Sequence, residues 1–155
     1  MSLPDLLSEY LDMTGEQGRV FGFTGTRKGM TDGQKESLSE LLGSLNRIVA
    51  VVHHGDCVGA DAEFHGICHE FGFQIHIHPP TNQKHRAFCQ SADFEEKPKA
   101  YITRNYNIVN ACDLLLATPS GAERTRSGTW STIRYARQQD KKVIVITTNG
   151  EIDVL

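Results

Sequence analysis

"RVFGFTGTRKGMTDGQKESLSELLGSL", residues 19–45, is the stretch that decides the fold. Its opening, "RVFGFTG", is an apolar run that ends on Gly25 and reads as a strand. Thr31 and Gln34 then stand at capping-box spacing. Leu38, Leu41, Leu42 and Leu45 recur at i, i+3, i+4 and i+7, which is one face of a helix. A strand, a glycine turn and an amphipathic helix in that order begin an alternating α/β chain.

The same alternation continues outward. "RIVAVVHHG" is the continuous apolar run expected of a strand buried on both faces. "GADAEFHGICHEFG" carries Ala60, Phe64, Ile67, Cys68 and Phe71 on one side, with Gly72 placed to stop the helix. "FQIHIHPP" reads as a third strand closed by two prolines. "TRNYNIVNAC" reads as a short helix capped by Thr103, and "DLLLATP" as a fourth strand. "SGTWSTIRYARQQDKK" is then a helix, and "VIVIT" a fifth strand. This order predicts a single doubly wound, Rossmann-like α/β domain with a mostly parallel five-stranded sheet and helices on both faces. Residues 1–18 are expected to form an appended helix (residues 3–12) and a glycine-containing link, "TGEQG". Residues 19–155 form the domain proper.

Composition narrows the class of function. The chain has 155 residues, 39% of them hydrophobic and 23% charged, which suits one globular domain. Its formal charge of −3 argues against a nucleic-acid coat, so any polyanion site must be local. "MSLPDLLSEYLDM" lacks a basic start, so no secretory signal is expected, and no apolar run is long enough for a membrane span. Cys57, Cys68, Cys89 and Cys112 form no C-x-x-C pair, which favours reduced thiols in a cytoplasmic protein.

In doubly wound sheets ligands bind beyond the carboxyl ends of the strands, so the loops there carry the candidates. Gly25, Thr26 and Arg27, with Lys28, suit a phosphate near a helix N-terminus, or a simple polar turn with solvated cations. Gly55, Asp56, Gly59, Ala60 and Asp61 form a second such turn. Asp61 could complement the helix dipole, or accept hydrogen bonds from a ribose or base. Arg104 and Asn105 open the fourth helix, where an arginine opposes the dipole. An anion, or a salt bridge to Glu95 or Glu96, would explain it. Arg126, Ser127, Gly128 and Thr129 precede the last helix, Ser127 as an N-cap or as part of a phosphate cradle. Residues 79–102 form a long connection read as a lid, with Lys84, His85 and Arg86 in reach of a ligand and Asp93, Glu95 and Glu96 facing solvent.

His65 and His69 are one helical turn apart beside Cys68, with His53, His54, His76 and His78 near in the chain. There is no H-E-x-x-H and no cysteine pair, so no metal is expected.

Taken together, "FTGTRKGMT", "HGDCVGAD", "HPP", "TRNYNIVNACDLLLATP" and "SGTWSTIRYA" resemble the SLOG superfamily of Rossmann-like nucleotide-binding proteins, in family order over roughly residues 19–147. That group includes the lysine-decarboxylase-like phosphoribohydrolases, DprA and the molybdenum-cofactor carriers. The pattern is also similar to that of a branch of small bacterial and phage proteins. The resemblance implies a nucleotide or nucleotide-derived, phosphate-bearing ligand, no certain cofactor, no membrane and a homo-oligomer. It does not carry catalysis over. The phosphoribohydrolases have P-G-G-x-G-T-x-x-E, whereas Thr132 stands here at the glutamate. Asp56, Asp61 and Glu123 remain as candidate acids or bases for a hydrolase of a nucleotide N-glycosidic or phosphate bond. A DprA-like single-strand binder is the remaining alternative, disfavoured by charge and length.

Overall fold

The computed structural model describes residues 2–12, 19–46 and 49–155. The link read at 14–18 and the start of the second strand read, residues 47–48, lie outside them. Helix α1 (Leu3–Asp12) precedes β1 (Arg19–Gly25), α2 (Asp32–Leu45), β2 (Val49–His54), α3 (Ala60–Phe71) and β3 (Gln74–Ile77). After these come β4 (Phe94–Glu95), α4 (Tyr101–Ala111), β5 (Leu114–Thr118), α5 (Gly128–Gln138), β6 (Lys142–Ile146) and β7 (Ile152–Val154). The fold class is the expected one, a mostly parallel sheet between helices.

The sheet has seven strands, not five, in the order β4-β3-β2-β1-β5-β6-β7. Both additions are at the edges. β7 is a short antiparallel return along β6, and β4 is two residues paired beside β3. Neither is long enough to show a period of two, so neither is legible as a strand in the sequence.

Each face has its own core. On one face α2 and α3 cover Phe21, Phe23, Ile75, Leu114, Leu116, Ile144 and Ile146. Leu6 of α1 is fully buried in this cluster. On the other face α4 and α5 cover Leu115, Ala117, Val143 and Val145. β5 is buried along its whole length because it serves both layers.

The helix boundaries follow the local chemistry. Thr31 accepts from the Gln34 backbone while Gln34 reaches back, the full capping box. Gly72 ends α3 in the left-handed region at φ 78°. α4 begins at Tyr101, two residues before the expected cap, and has no side-chain cap, since Thr103 is exposed inside its first turn.

Residues 79–102 are not a loose lid. Besides β4, the segment is tied down by a bridge between Pro80 and Lys99 and another between Cys57 and Arg86. Asp93 does not face solvent freely, because it accepts the Ile75 backbone N–H at 2.7 Å. Glu95 pairs with Arg86 and Glu96 with His76.

Candidate functional site

Strand order reverses at β1, which pairs with β2 on one side and β5 on the other. The crevice of a doubly wound sheet is expected outside that point. A cleft of about 420 Å³ lies there, within the usual size of small-molecule sites. It is lined by Gly25, Thr26, Arg27, Gly55, Asp61, Arg104, Asn105, Arg126, Ser127, Gly128 and Thr129. Phe23, Thr24, Lys28, Cys57, Tyr101, Ile108, Ser120 and Arg124 complete the wall. The first group, together with Lys28 of the second, is the one expected from sequence. The second comes from neighbours on the same elements, and Ser120 from the turn after β5.

Three expected residues stay out of the wall, each for a structural reason. Gly59 holds φ 87° and lies so close to the Arg27 carbonyl that a Cβ would collide with it. Its neighbour Ala60 is buried and donates its N–H to the Thr26 carbonyl at 3.0 Å. These two lock the β1 and β2 loops together. Asp56 is fully buried, outside the cleft lining, at φ 55°. Its carboxylate accepts from Arg86 Nε and the Cys89 backbone, each at 2.8 Å. It staples residues 86–89 to the β2 turn. Arg86 is thereby spent on Asp56 and Glu95, and Lys84 and His85 do not line the cleft either.

The first loop is shaped by its threonine. The Thr26 hydroxyl accepts the Lys28 N–H at 3.2 Å, and the Thr26 carbonyl accepts from both Gly29 and Ala60. Gly25 is required by proximity, since a Cβ there would meet Ala60 Cβ at 2.5 Å and Thr118 Oγ1 at 2.6 Å. Arg27 and Lys28 project from this turn into solvent at the cleft mouth.

Ser127 caps α5 by accepting the Trp130 N–H at 3.2 Å. The N–H groups of Gly128 and Thr129 are in the first helical turn, where no intrahelical acceptor exists, and both residues line the cleft. The α5 dipole therefore adds to the charge of Arg124 and Arg126 beside it. Thr132 is buried and donates to the Gly128 carbonyl at 3.0 Å, so it serves its own helix.

Arg104 is the buried centre of the wall. Its Nη1 donates to the Gly55 carbonyl and, at 3.2 Å, to the His78 carbonyl, while Nη2 reaches Cys57 Sγ at 3.5 Å. Tyr101 lies 5.3 Å from the guanidinium. The alternative of a salt bridge to Glu95 or Glu96 is not met, since these pair with Arg86 and His76. Asp61 faces Arg104 and accepts the Cys57 N–H at 3.1 Å. Burial pushes the Asp61 carboxyl up to about 6, against the pull of Arg104. Glu123 lies outside the cleft, exposed and paired with Arg134 at 3.0 Å.

Five cations thus surround the cleft against one carboxylate, and that carboxylate is half-way to neutral near pH 6. The lining of the cleft is therefore predominantly cationic.

No family model matches the sequence, and no curated protein matches it. Solved structures do. The molybdenum cofactor binding protein of Rippkaea orientalis superposes with a TM-score of 0.66 at 18% identity, over 86% of this chain and 78% of that one. The Moco carrier protein of Chlamydomonas reinhardtii gives 0.64 at 18%, over 84% and 78%. DNA processing protein A from Streptococcus pneumoniae gives 0.60 at 17%, over 83% of this chain and 50% of that one. The chain shares their fold. The resemblance to the SLOG superfamily is met at that level, since carriers and DprA are groups it implied. At such identities the likeness is one of architecture, and the cleft must be read from its own residues. No helix among the described residues is long and apolar enough to cross a membrane.

Proposed function

We propose that this protein binds a nucleotide or nucleotide-derived ligand, with a phosphate seated against the N-terminus of α5 and the first loop. The observation that carries the reading is the set of Arg27, Lys28, Arg104, Arg124 and Arg126 around one cleft at the switch point of the sheet. Helix N–H groups and arginine forks both favour a phosphate there. Two of the structural relatives are named for the molybdenum cofactor they bind or carry, which supports a small-molecule ligand.

Arg27, Arg124 and Arg126 are exposed, so they meet the ligand, while the buried Arg104 holds the wall. The test is thermal shift and calorimetry with nucleoside mono-, di- and triphosphates, cyclic dinucleotides and ADP-ribose derivatives. A ligand at a hundred times its Kd should stabilise the fold by about 3 kcal/mol. Arg126→Ala should weaken that ligand about tenfold or more without lowering the melting temperature of the unliganded protein. No shift with any of these compounds refutes the reading.

A hydrolase reading rests on Asp61 alone. Of the three carboxylates weighed, only Asp61 borders the cleft, and its raised pKa suits a general acid. Release of free base or phosphate from nucleoside monophosphates, abolished by Asp61→Asn, would establish it.

A further inference from the structure

β2 and β3 place three histidines on one face of the sheet. His53 pairs with His76 across the parallel ladder, and His78 follows two residues later. This is the face covered by α4 and α5 elsewhere, but its apolar cluster draws on β1, β5 and β6 and stops short of these strands. His53 and His78 are buried, and His76 stands at the rim. The His53 and His76 rings stack at 4.3 Å, and His76 and His78 at 5.0 Å.

One ring nitrogen from each histidine lies within 4.8 Å of the other two, and His53 Nδ1 is 2.8 Å from His78 Nε2. A tetrahedral ion with bonds of about 2.0 Å holds its ligands about 3.3 Å apart, a spacing this trio brackets. A plain hydrogen-bonded pair would account for His53 and His78 but not for the third ring. His76 bonds neither of them. Its Nε2 is held instead by Glu96 at 3.1 Å, which leaves Nδ1 as its remaining donor atom. A carboxylate on one nitrogen of an imidazole is how metal-ligating histidines are oriented.

A second cluster, His54, His65 and Cys89, is different. The Asp56 N–H donates to His54 Nδ1, His54 Nε2 donates to His65 Nδ1, and His65 Nε2 donates to the Gln90 carbonyl. Every ring nitrogen there is committed, so that group is a closed structural network. The nearby Arg104 charge is faced by Asp61, and Glu96 supplies a negative group beside the trio.

We propose that His53, His76 and His78 bind one divalent transition-metal ion of the zinc class, with Glu96 orienting His76 and the fourth position left to solvent. Three imidazoles with an open position suit Zn²⁺, and Co²⁺ can report on it.

The test uses the full chain, treated with chelator and titrated with Zn²⁺ against a chromophoric competitor, then with Co²⁺ by visible absorption. The expected result is one ion per chain, a higher melting temperature, and cobalt d–d bands without a thiolate charge-transfer band. His76→Gln, at the exposed rim, should lower affinity about a hundredfold, and Glu96→Gln about tenfold. His69→Gln, on the exposed side of α3, should leave binding unchanged. Absence of binding, binding that survives His76→Gln and Glu96→Gln unaltered, or a thiolate band removed by Cys89→Ser would overturn the proposal. None of these readouts depends on the anion cleft.

Discussion

Arg104→Met is the substitution that tests the cleft wall most directly. Methionine keeps most of the length and apolar stem but removes the guanidinium. Two effects follow, and they separate by pH. The first is independent of pH near neutrality: the Gly55 and His78 carbonyls lose their charged donor. Leaving buried acceptors unpaired costs about 1–3 kcal/mol. The second concerns Asp61, which loses the cation that opposes its burial.

Asp61 already titrates at about 6 instead of 3.8. A raised carboxyl means the folded state holds more protons than the unfolded one between those values, so stability falls as pH rises through that window. At pH 7.5 this costs the native protein about 3 kcal/mol. Without Arg104 the pKa climbs further, and the penalty grows until the group stays protonated at the working pH. That ceiling is about 5 kcal/mol at pH 7.5, so the added loss is at most about 2 kcal/mol. Arg104→Met is therefore expected to cost up to about 3–5 kcal/mol at pH 7.5 and about 1–3 kcal/mol at pH 5.5, where Asp61 is mostly protonated in both proteins. Urea denaturation at the two pH values measures the difference directly. In the double variant Arg104→Met/Asp61→Asn the second part should return at pH 7.5. A gap that is equal at both pH values, or wider at pH 5.5, would refute the pairing of Asp61 with Arg104.

Two further substitutions probe the loops. Gly59→Ala should destabilise by about 3 kcal/mol or more, because it combines a left-handed backbone with a collision against the Arg27 carbonyl; a melting temperature within a few degrees of the parent would contradict this. Ser127→Ala should cost about 1 kcal/mol of stability through the lost cap, visible as a drop of about 2–4 °C in melting temperature, while the α5 N–H groups stay in place for the ligand.

What the sequence shows and what it hides divide along a physical line. Periodicity and capping are local, so α2, α3 and α5 could be placed from Leu38, Gly72 and Ser127 and their neighbours. Alternation of strands and helices fixes a parallel sheet, and the crevice rule then selects the loops at Gly25, Gly55 and Ser127. Edge strands of two and three residues carry no such pattern, because their pairing is decided by β3 and β6.

Side-chain roles depend on non-local contacts, and Asp56 shows why. Its place in a glycine-flanked turn at a strand's carboxyl end fits a catalytic acid as well as a staple. Only Arg86 and the Cys89 backbone, brought back 30 and 33 residues later, decide between them. Arg104 has the same ambiguity, since a cation at a helix start invites an anion. Here its Nη1 donates to two backbone carbonyls and its charge faces the buried Asp61 carboxylate, which ties three chain segments around the cleft. On the proposed binding reading the ligand-facing charge comes from Arg27, Lys28, Arg124 and Arg126, which make no ion pair among the described residues. On that reading burial separates the arginine that builds the cleft wall from the exposed arginines, whose loss should change affinity while sparing the fold.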